Sequence, residues 1–441
     1  MKDTPINHEI VTKQIRESKI RNIGKASIRE VKLLINKIEK ETGEKFVRME
    51  MGVPGLTPPQ IGIDAEIKAL NEGVAAIYPD IEGTHILKKE VARFVKLFLD
   101  VDVDEANCIP TVGSMQGGFA AFLTLSRINK ERNTTLLVDP GFPVHRQQHI
   151  VLGQKFESFD VYDYRGEKLR DKLESILSKG QIHSILYSNP NNPSWICFTP
   201  HELQIFGEMA NKYNVIILED LAYFGMDFRK DYSKPGVPPF QPTVAKYTDN
   251  FILLISSSKA FSYAGQRVAS MVISNKIFNA QMPDLLRYYS TDIFGRALIY
   301  GTIYALSAGT SHSAQYGLAA MLKAVNDGTY NFVEYVREYG EKAKIMKKLF
   351  LDNGFHIVYD KDEGGVPIAD GFYFTFAYPG FTGEELLEEL LYYGISAIAL
   401  SITGSERKEG LRACVSLVHR SQFPTLEARL KTFLENHPVK K

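Results

Sequence analysis

Lys259 follows Ser256-Ser257-Ser258, and these follow an apolar run, Phe251-Ile252-Leu253-Leu254-Ile255. Arg267 lies a short way downstream. Upstream, a second apolar run, Val215-Ile216-Ile217-Leu218, ends in Glu219-Asp220 and leads to Tyr223. A lysine amine at a strand end forms a Schiff base with an aldehyde. An aspartate on a preceding strand pairs with a protonated pyridine nitrogen, while hydroxyls and an arginine hold a phosphate. An aldehyde, a pyridine and a phosphate in one cofactor describe pyridoxal phosphate. Burial at the strand end would lower the Lys259 amine from about 10.4 towards a nucleophilic range.

The elements that must position these residues are legible as alternation. Between about 105 and 275, short apolar runs alternate with helical stretches. The strands read as Thr135–Val138, Ile185–Tyr187, Val215–Leu218, Phe251–Ile255 and Val268–Ile273. Thr199-Pro200-His201-Glu202 joins a capping box to proline at the first helical position, which starts a helix. Strand–helix–strand alternation predicts a mostly parallel sheet covered on both faces. An amphipathic helix is expected over 27–43, capped by Ser27 with Glu30 and ended by Gly43. From about 330 the texture changes to a charged helix around 331–351, a glycine-rich Asp362-Glu363-Gly364-Gly365, short strands near Phe372–Phe376 and Arg412–Val415, and helices starting near Thr382 and Thr425. This reads as a smaller α+β domain. Lys234–Pro239 reads as an exposed loop.

Composition narrows the classes. The chain has 441 residues, with 52 Lys plus Arg against 52 Asp plus Glu, so no bulk attraction to nucleic acid or anionic membrane is implied. Cys108, Cys197 and Cys414 lack metal-site spacing, and neither a disulfide framework nor a zinc site is suggested. The N-terminus is rich in charge and lacks an apolar core segment, so no signal peptide is expected, and no apolar stretch is long enough for a membrane span. A reducing, cytoplasmic setting is the expectation.

Further motifs stand in order along the chain: Met51-Gly52-Val53-Pro54-Gly55, Tyr78-Pro79-Asp80-Ile81-Glu82-Gly83, Gly113-Ser114-Met115-Gln116-Gly117-Gly118, Asp139-Pro140-Gly141-Phe142-Pro143-Val144-His145, Ser188-Asn189-Pro190-Asn191-Asn192-Pro193-Ser194-Trp195 and Gly410-Leu411-Arg412-Ala413-Cys414-Val415-Ser416. The third opens an apolar helix with small residues, whose free N–H groups and dipole make an anion site. It lacks the Gly-Lys-Ser/Thr ending of a nucleoside triphosphate loop. With the Asp220 and Lys259 segments, the set resembles the class I/II aminotransferases, fold-type-I pyridoxal-phosphate enzymes, from about residue 48 to 420.

The resemblance implies a role for each matching position. Lys259 carries the cofactor, Asp220 sits under the pyridine nitrogen, and Tyr223 and Asn192 donate to the phenolate oxygen. Gly113, Ser114, Met115, Ser256, Ser258 and Arg267 hold the phosphate, helped by Tyr78 of the other subunit in a homodimer. Phe142 stacks on the ring, with His145 behind Asp220. Gly52 lets backbone approach the substrate, and Arg412 forks onto its α-carboxylate. Trp195, the only tryptophan, stands where the family has glycine and would add bulk near the pocket. Arg287 and Arg296 flank a segment that in the family reaches the partner's site, and could receive an acidic side chain.

The fold implied is α/β: a three-layer, mostly parallel large domain over 51–325, and a smaller α+β domain over 326–441 with the N-terminal segment 1–50 packed on it. The implied reaction moves an amino group between an amino acid and a 2-keto acid. Carbon–sulfur β-elimination, decarboxylation or cyclopropane formation would use the same cofactor motifs. Ser256-Ser257-Ser258-Lys259 also fits a Ser-x-x-Lys hydrolase, but no Lys-Thr-Gly occurs. A regulator with an added DNA-binding module finds too few residues before Gly52 and no basic excess.

Overall fold

The computed structural model describes residues 3–439. Its strands, in chain order, are β1 (Val47–Arg48), β2 (Cys108–Thr111), β3 (Thr134–Asp139), β4 (Lys155–Asp160), β5 (Ile182–Ser188), β6 (Ile216–Asp220), β7 (Phe251–Ser256), β8 (Ala269–Ile273), β9 (His356–Ile357), β10 (Tyr373–Ala377), β11 (Ile395–Ser396), β12 (Ile398–Ala399) and β13 (Leu411–Cys414). Seven of them form one sheet in the order β2-β8-β7-β6-β5-β3-β4. Neighbours from β4 to β7 pair in parallel, and β8 runs antiparallel to both β2 and β7.

The continuous apolar runs arise because both faces of the sheet are covered. Along β7, Leu253 and Ile255 enter one hydrophobic core while Ile252 and Leu254 enter the other. Helices occupy both faces, so each strand buries alternate side chains in opposite directions. Two strands of this sheet, and the two-residue strands β1, β9, β11 and β12 outside it, are not among those read from the sequence. β2 contains Pro110 and β4 has only two apolar residues, Phe156 and Phe159, among charged and polar ones; both strands lie at sheet edges, where a missing donor or a solvated face is tolerated.

Local signals end where the chemistry says. The helix Ile28–Thr42 has the Ser27–Glu30 capping box and stops at Gly43, whose φ of 78° a side chain would resist. The helix Pro200–Tyr213 carries the Thr199–Glu202 box. The long charged helix spans Phe332–Asp352, and Phe423–Asn436 begins just before the expected Thr425.

A four-stranded antiparallel sheet, β12-β13-β10-β9, is built from C-terminal residues. The N-terminal β1 pairs in parallel with β11, Val47 opposite Ile395, so the two ends of the chain share a small sheet. Among the described residues no helix is long and apolar enough to cross a membrane. The three cysteines are free and buried.

Candidate active site

Asp220 is the last residue of β6, and Ser188, opposite it in register, is the last of β5. Parallel strands thus deliver side chains to one edge, the carboxyl end, where helices and loops leave a crevice. Asp220 is buried, and among the described residues its carboxylate accepts one hydrogen bond, from the Ala222 N–H at 3.1 Å. Burial pushes its carboxyl up to about 7. A buried acid without a cation is suited to a protonated ring nitrogen, which would restore the charged pair.

β7 ends at Ser256, whose hydroxyl accepts from the Ser258 N–H and caps a single helical turn, Ser257–Ala260. That turn carries Lys259. Its amine donates to the Gly52 carbonyl and lies 5.3 Å from the centre of the Phe372 ring. Burial first, then the positive charges of Arg412 and Arg267, push it down to about 8. Such an amine is partly unprotonated near neutrality and therefore nucleophilic.

The anion site assembles from three segments. The helix Gly113–Leu125 begins beside the Arg267 guanidinium. Gly113 lies against the Arg267 guanidinium and adopts φ 69°, a left-handed conformation that favours glycine. The Ser114 hydroxyl is buried without a partner, an orphan that a phosphate oxygen would satisfy. Met115 next to it is exposed. Arg267 itself is exposed and adopts φ 53°, its Nη1 donating to the Ala264 carbonyl at 2.9 Å.

Arg412, on β13, is buried. Its Nη1 donates to Asn192 Oδ1 at 3.2 Å and its Nη2 to the Glu50 carbonyl at 2.6 Å. Its Nε is buried with no partner among the described residues. Asn192 belongs to a turn organised by Asn191, whose Oδ1 accepts from the Ser194 N–H and hydroxyl while its Nδ2 donates to the Pro140 carbonyl. That last bond brings the Pro140-Gly141-Phe142 loop beside Asn192. Phe142 starts the helix Pro143–Leu152 and meets His145 edge-on at 5.6 Å. His145 is buried, and burial pushes it down to about 3, so it is neutral. No hydrogen bond joins it to Asp220 among the described residues.

The structure leaves some expected residues apart. Tyr78 is 94% exposed. Arg287 is held by Asp284 and stacks on Tyr288, and Arg296 is exposed. It also adds two side chains that sequence reasoning missed. Tyr373 accepts a hydrogen bond from Tyr223 at 2.8 Å, and its ring lies 4.5 Å beneath the Arg412 guanidinium. Phe372 faces Lys259. Both lie in a C-terminal strand region whose local pattern signals only β structure.

A lowered lysine, an unpaired buried acid, an orphan hydroxyl at a helix N-terminus and a buried arginine fork fit pyridoxal phosphate with an α-amino acid. The aminotransferase class I and II family model matches residues 45–426. The chain is 25% identical over 357 residues to a probable aspartate aminotransferase of Methanocaldococcus jannaschii, covering 79% of this chain and 85% of that one. It is 26% identical to an LL-diaminopimelate aminotransferase of Halothermothrix orenii, over 89% of this chain and 96% of the relative. An alanine aminotransferase structure from Pyrococcus furiosus superposes with a TM-score of 0.75 at 19% identity, covering 93% and 97% of the two chains. With that match spanning most of its length, the chain belongs to the class I and II aminotransferases, pyridoxal-phosphate-dependent enzymes that move an amino group between an amino acid and a 2-keto acid.

Proposed function

We propose that this transfer is run by the residues just described, with Lys259 as the residue that carries the cofactor covalently. When bound, pyridoxal phosphate supplies an electron-accepting ring that draws charge from the substrate α-carbon. Asp220 holds the proton on the pyridine nitrogen. Tyr223 and Asn192 donate to the phenolate oxygen. The N–H groups of Gly113, Ser114 and Met115, the hydroxyls of Ser114, Ser256 and Ser258, and Arg267 hold the phosphate, and Phe142 covers the ring. The Lys259 amine, when free, would move the proton at the substrate α-carbon. Gly52 keeps backbone close to that amine.

The observation that carries this reading is the Arg412 fork. It is desolvated, aligned by Asn192, near enough to Lys259 to depress its amine, and has an Nε proton left over. A carboxylate is the group that accepts from such a fork in parallel. The relatives named above are named for aspartate, LL-diaminopimelate and alanine, whose shared part is the α-amino acid group that Arg412 would read. A panel of amino donors against several 2-keto acids, followed by detection of the new amino acid, tests the reaction and identifies the side chain accepted.

We further propose a cytoplasmic homodimer in which the partner's Tyr78 reaches the phosphate. The exposure of Tyr78 and of apolar Ile77, Tyr300 and Tyr304 supports a covered face. Mixing Tyr78→Phe protein with Lys259→Ala protein tests it: shared sites give one hybrid site with both defects and one with neither. Sedimentation as monomers at working concentration contradicts it. The division into 1–50, 51–325 and 326–441 is proposed on the same grounds as the sheets: β2–β8 form one, and the C-terminal strands form another with a contribution from β1.

A further inference from the structure

Trp195 and Tyr373 sit against the proposed machinery without a part in it. Trp195 is fully buried with φ 63°, a left-handed conformation that a bulky residue holds only where packing imposes it. Its indole occupies the space a side chain at Gly371 would need. It meets Tyr223 at 5.3 Å and Tyr373 at 6.1 Å, edge-on to both. The two tyrosines share one hydrogen bond of 2.8 Å, and Arg412 lies on the ring of the second. Burial keeps both phenols protonated. The charged and titratable groups facing them are Arg412 and Cys414, both on β13.

We propose that Tyr373 is a positioning residue for amino transfer that acts through Tyr223, with Trp195 as the wall that fixes both rings. This rests on the assignment of Tyr223 as donor to the phenolate oxygen. When Tyr223 turns its proton to that oxygen, its own oxygen is free to accept the Tyr373 proton. The two O–H groups then run in series, and a donor that also accepts is a stronger donor. The ring of the same Tyr373 seats Arg412, so one side chain sets the phenolate donor and the carboxylate fork in register.

The test is the pH titration of the visible absorption of the holoenzyme's cofactor. The basic form carries more charge on the phenolate oxygen and gains more from each donated hydrogen bond. Weakening the donor therefore raises the midpoint. Tyr373→Phe keeps the ring on Arg412 and Trp195 and removes only the hydroxyl. The expected result is a midpoint raised by roughly half a pH unit, with kcat lowered several-fold and KM for the amino acid within about twofold. Tyr223→Phe should shift further, and the double variant should match Tyr223→Phe alone. A Tyr373→Phe titration superimposable on the wild type, or a double variant in which the shifts add, overturns the role of Tyr373 and leaves that of Tyr223 standing. An unmoved Tyr223→Phe titration overturns the assignment of Tyr223 and this proposal with it.

Discussion

Arg412 and Asn192 are joined by a 3.2 Å hydrogen bond between a strand of the C-terminal sheet and the loop after β5. The bond holds the guanidinium plane fixed over Tyr373 while its Nε proton stays unshared. A charged planar fork, already desolvated and aligned, loses little entropy when a carboxylate arrives.

Arg412→Lys keeps the charge and loses the parallel donors. Charge-assisted hydrogen bonds contribute on the order of 1.5–3 kcal/mol each. Losing one or both should lower kcat/KM by roughly ten- to twenty-thousandfold. The visible absorbance of bound cofactor should persist. Loss of bound cofactor together with unaltered carboxylate dependence contradicts the role given to Arg412.

Asp220→Asn should retain cofactor while turnover falls by orders of magnitude, because the amide cannot hold the pyridinium charge. The same variant carries a pH signature without cofactor. The folded carboxyl titrates near 7 against an ordinary 3.8, so the native state keeps a proton that the unfolded chain releases. Stability of the apoprotein therefore declines as pH rises from 3.8 to 7. The Asn variant lacks that decline and should gain a few kcal/mol on the wild type across the window, at about 1.4 kcal/mol per pH unit. Parallel stability profiles in denaturant melts contradict the buried, unpaired carboxyl.

The Lys259 amine should titrate near 8 in the apoprotein, since burial disfavours its charged form. Reductive methylation resolved by peptide mass spectrometry should show its modification rising through that pH and levelling off above it. Solvated lysines should keep rising towards about 10.4. A midpoint for Lys259 among the solvated lysines contradicts the desolvation.

Trp195→Gly removes a fully buried side chain and also relieves its left-handed backbone. Deleting a buried tryptophan costs about 3–5 kcal/mol and the relief returns about 1–2. The apoprotein should lose roughly 1–4 kcal/mol by chemical denaturation. A loss below about 1 kcal/mol would show that the indole packs poorly.

What the sequence made legible follows from local physics. Asp220 and Lys259 were placed at strand ends because β6 and β7, covered on both faces, leave uninterrupted apolar runs. The Ser27–Glu30 and Thr199–Glu202 caps are encoded within four residues. Edge strand β4 is mostly charged and polar, with Phe156 and Phe159 its only apolar residues, so its sequence lacks that run. Tyr373 was invisible for another reason: its partner Tyr223 lies 150 residues away. Nothing local distinguishes a core tyrosine from one that meets a second phenol and a guanidinium. Trp195 stood out only as a substitution for glycine. That it is buried depends on the gap left by Gly371, which no spacing near Trp195 reveals.

The most direct measurement is the site of covalent attachment. Protein purified with pyridoxal phosphate should be yellow, and borohydride should fix the cofactor irreversibly. Digestion and peptide mapping should then place the label on Lys259, with Lys259→Ala protein unlabelled. A label on another lysine, or equal labelling of the Lys259→Ala protein, would contradict the account at its centre.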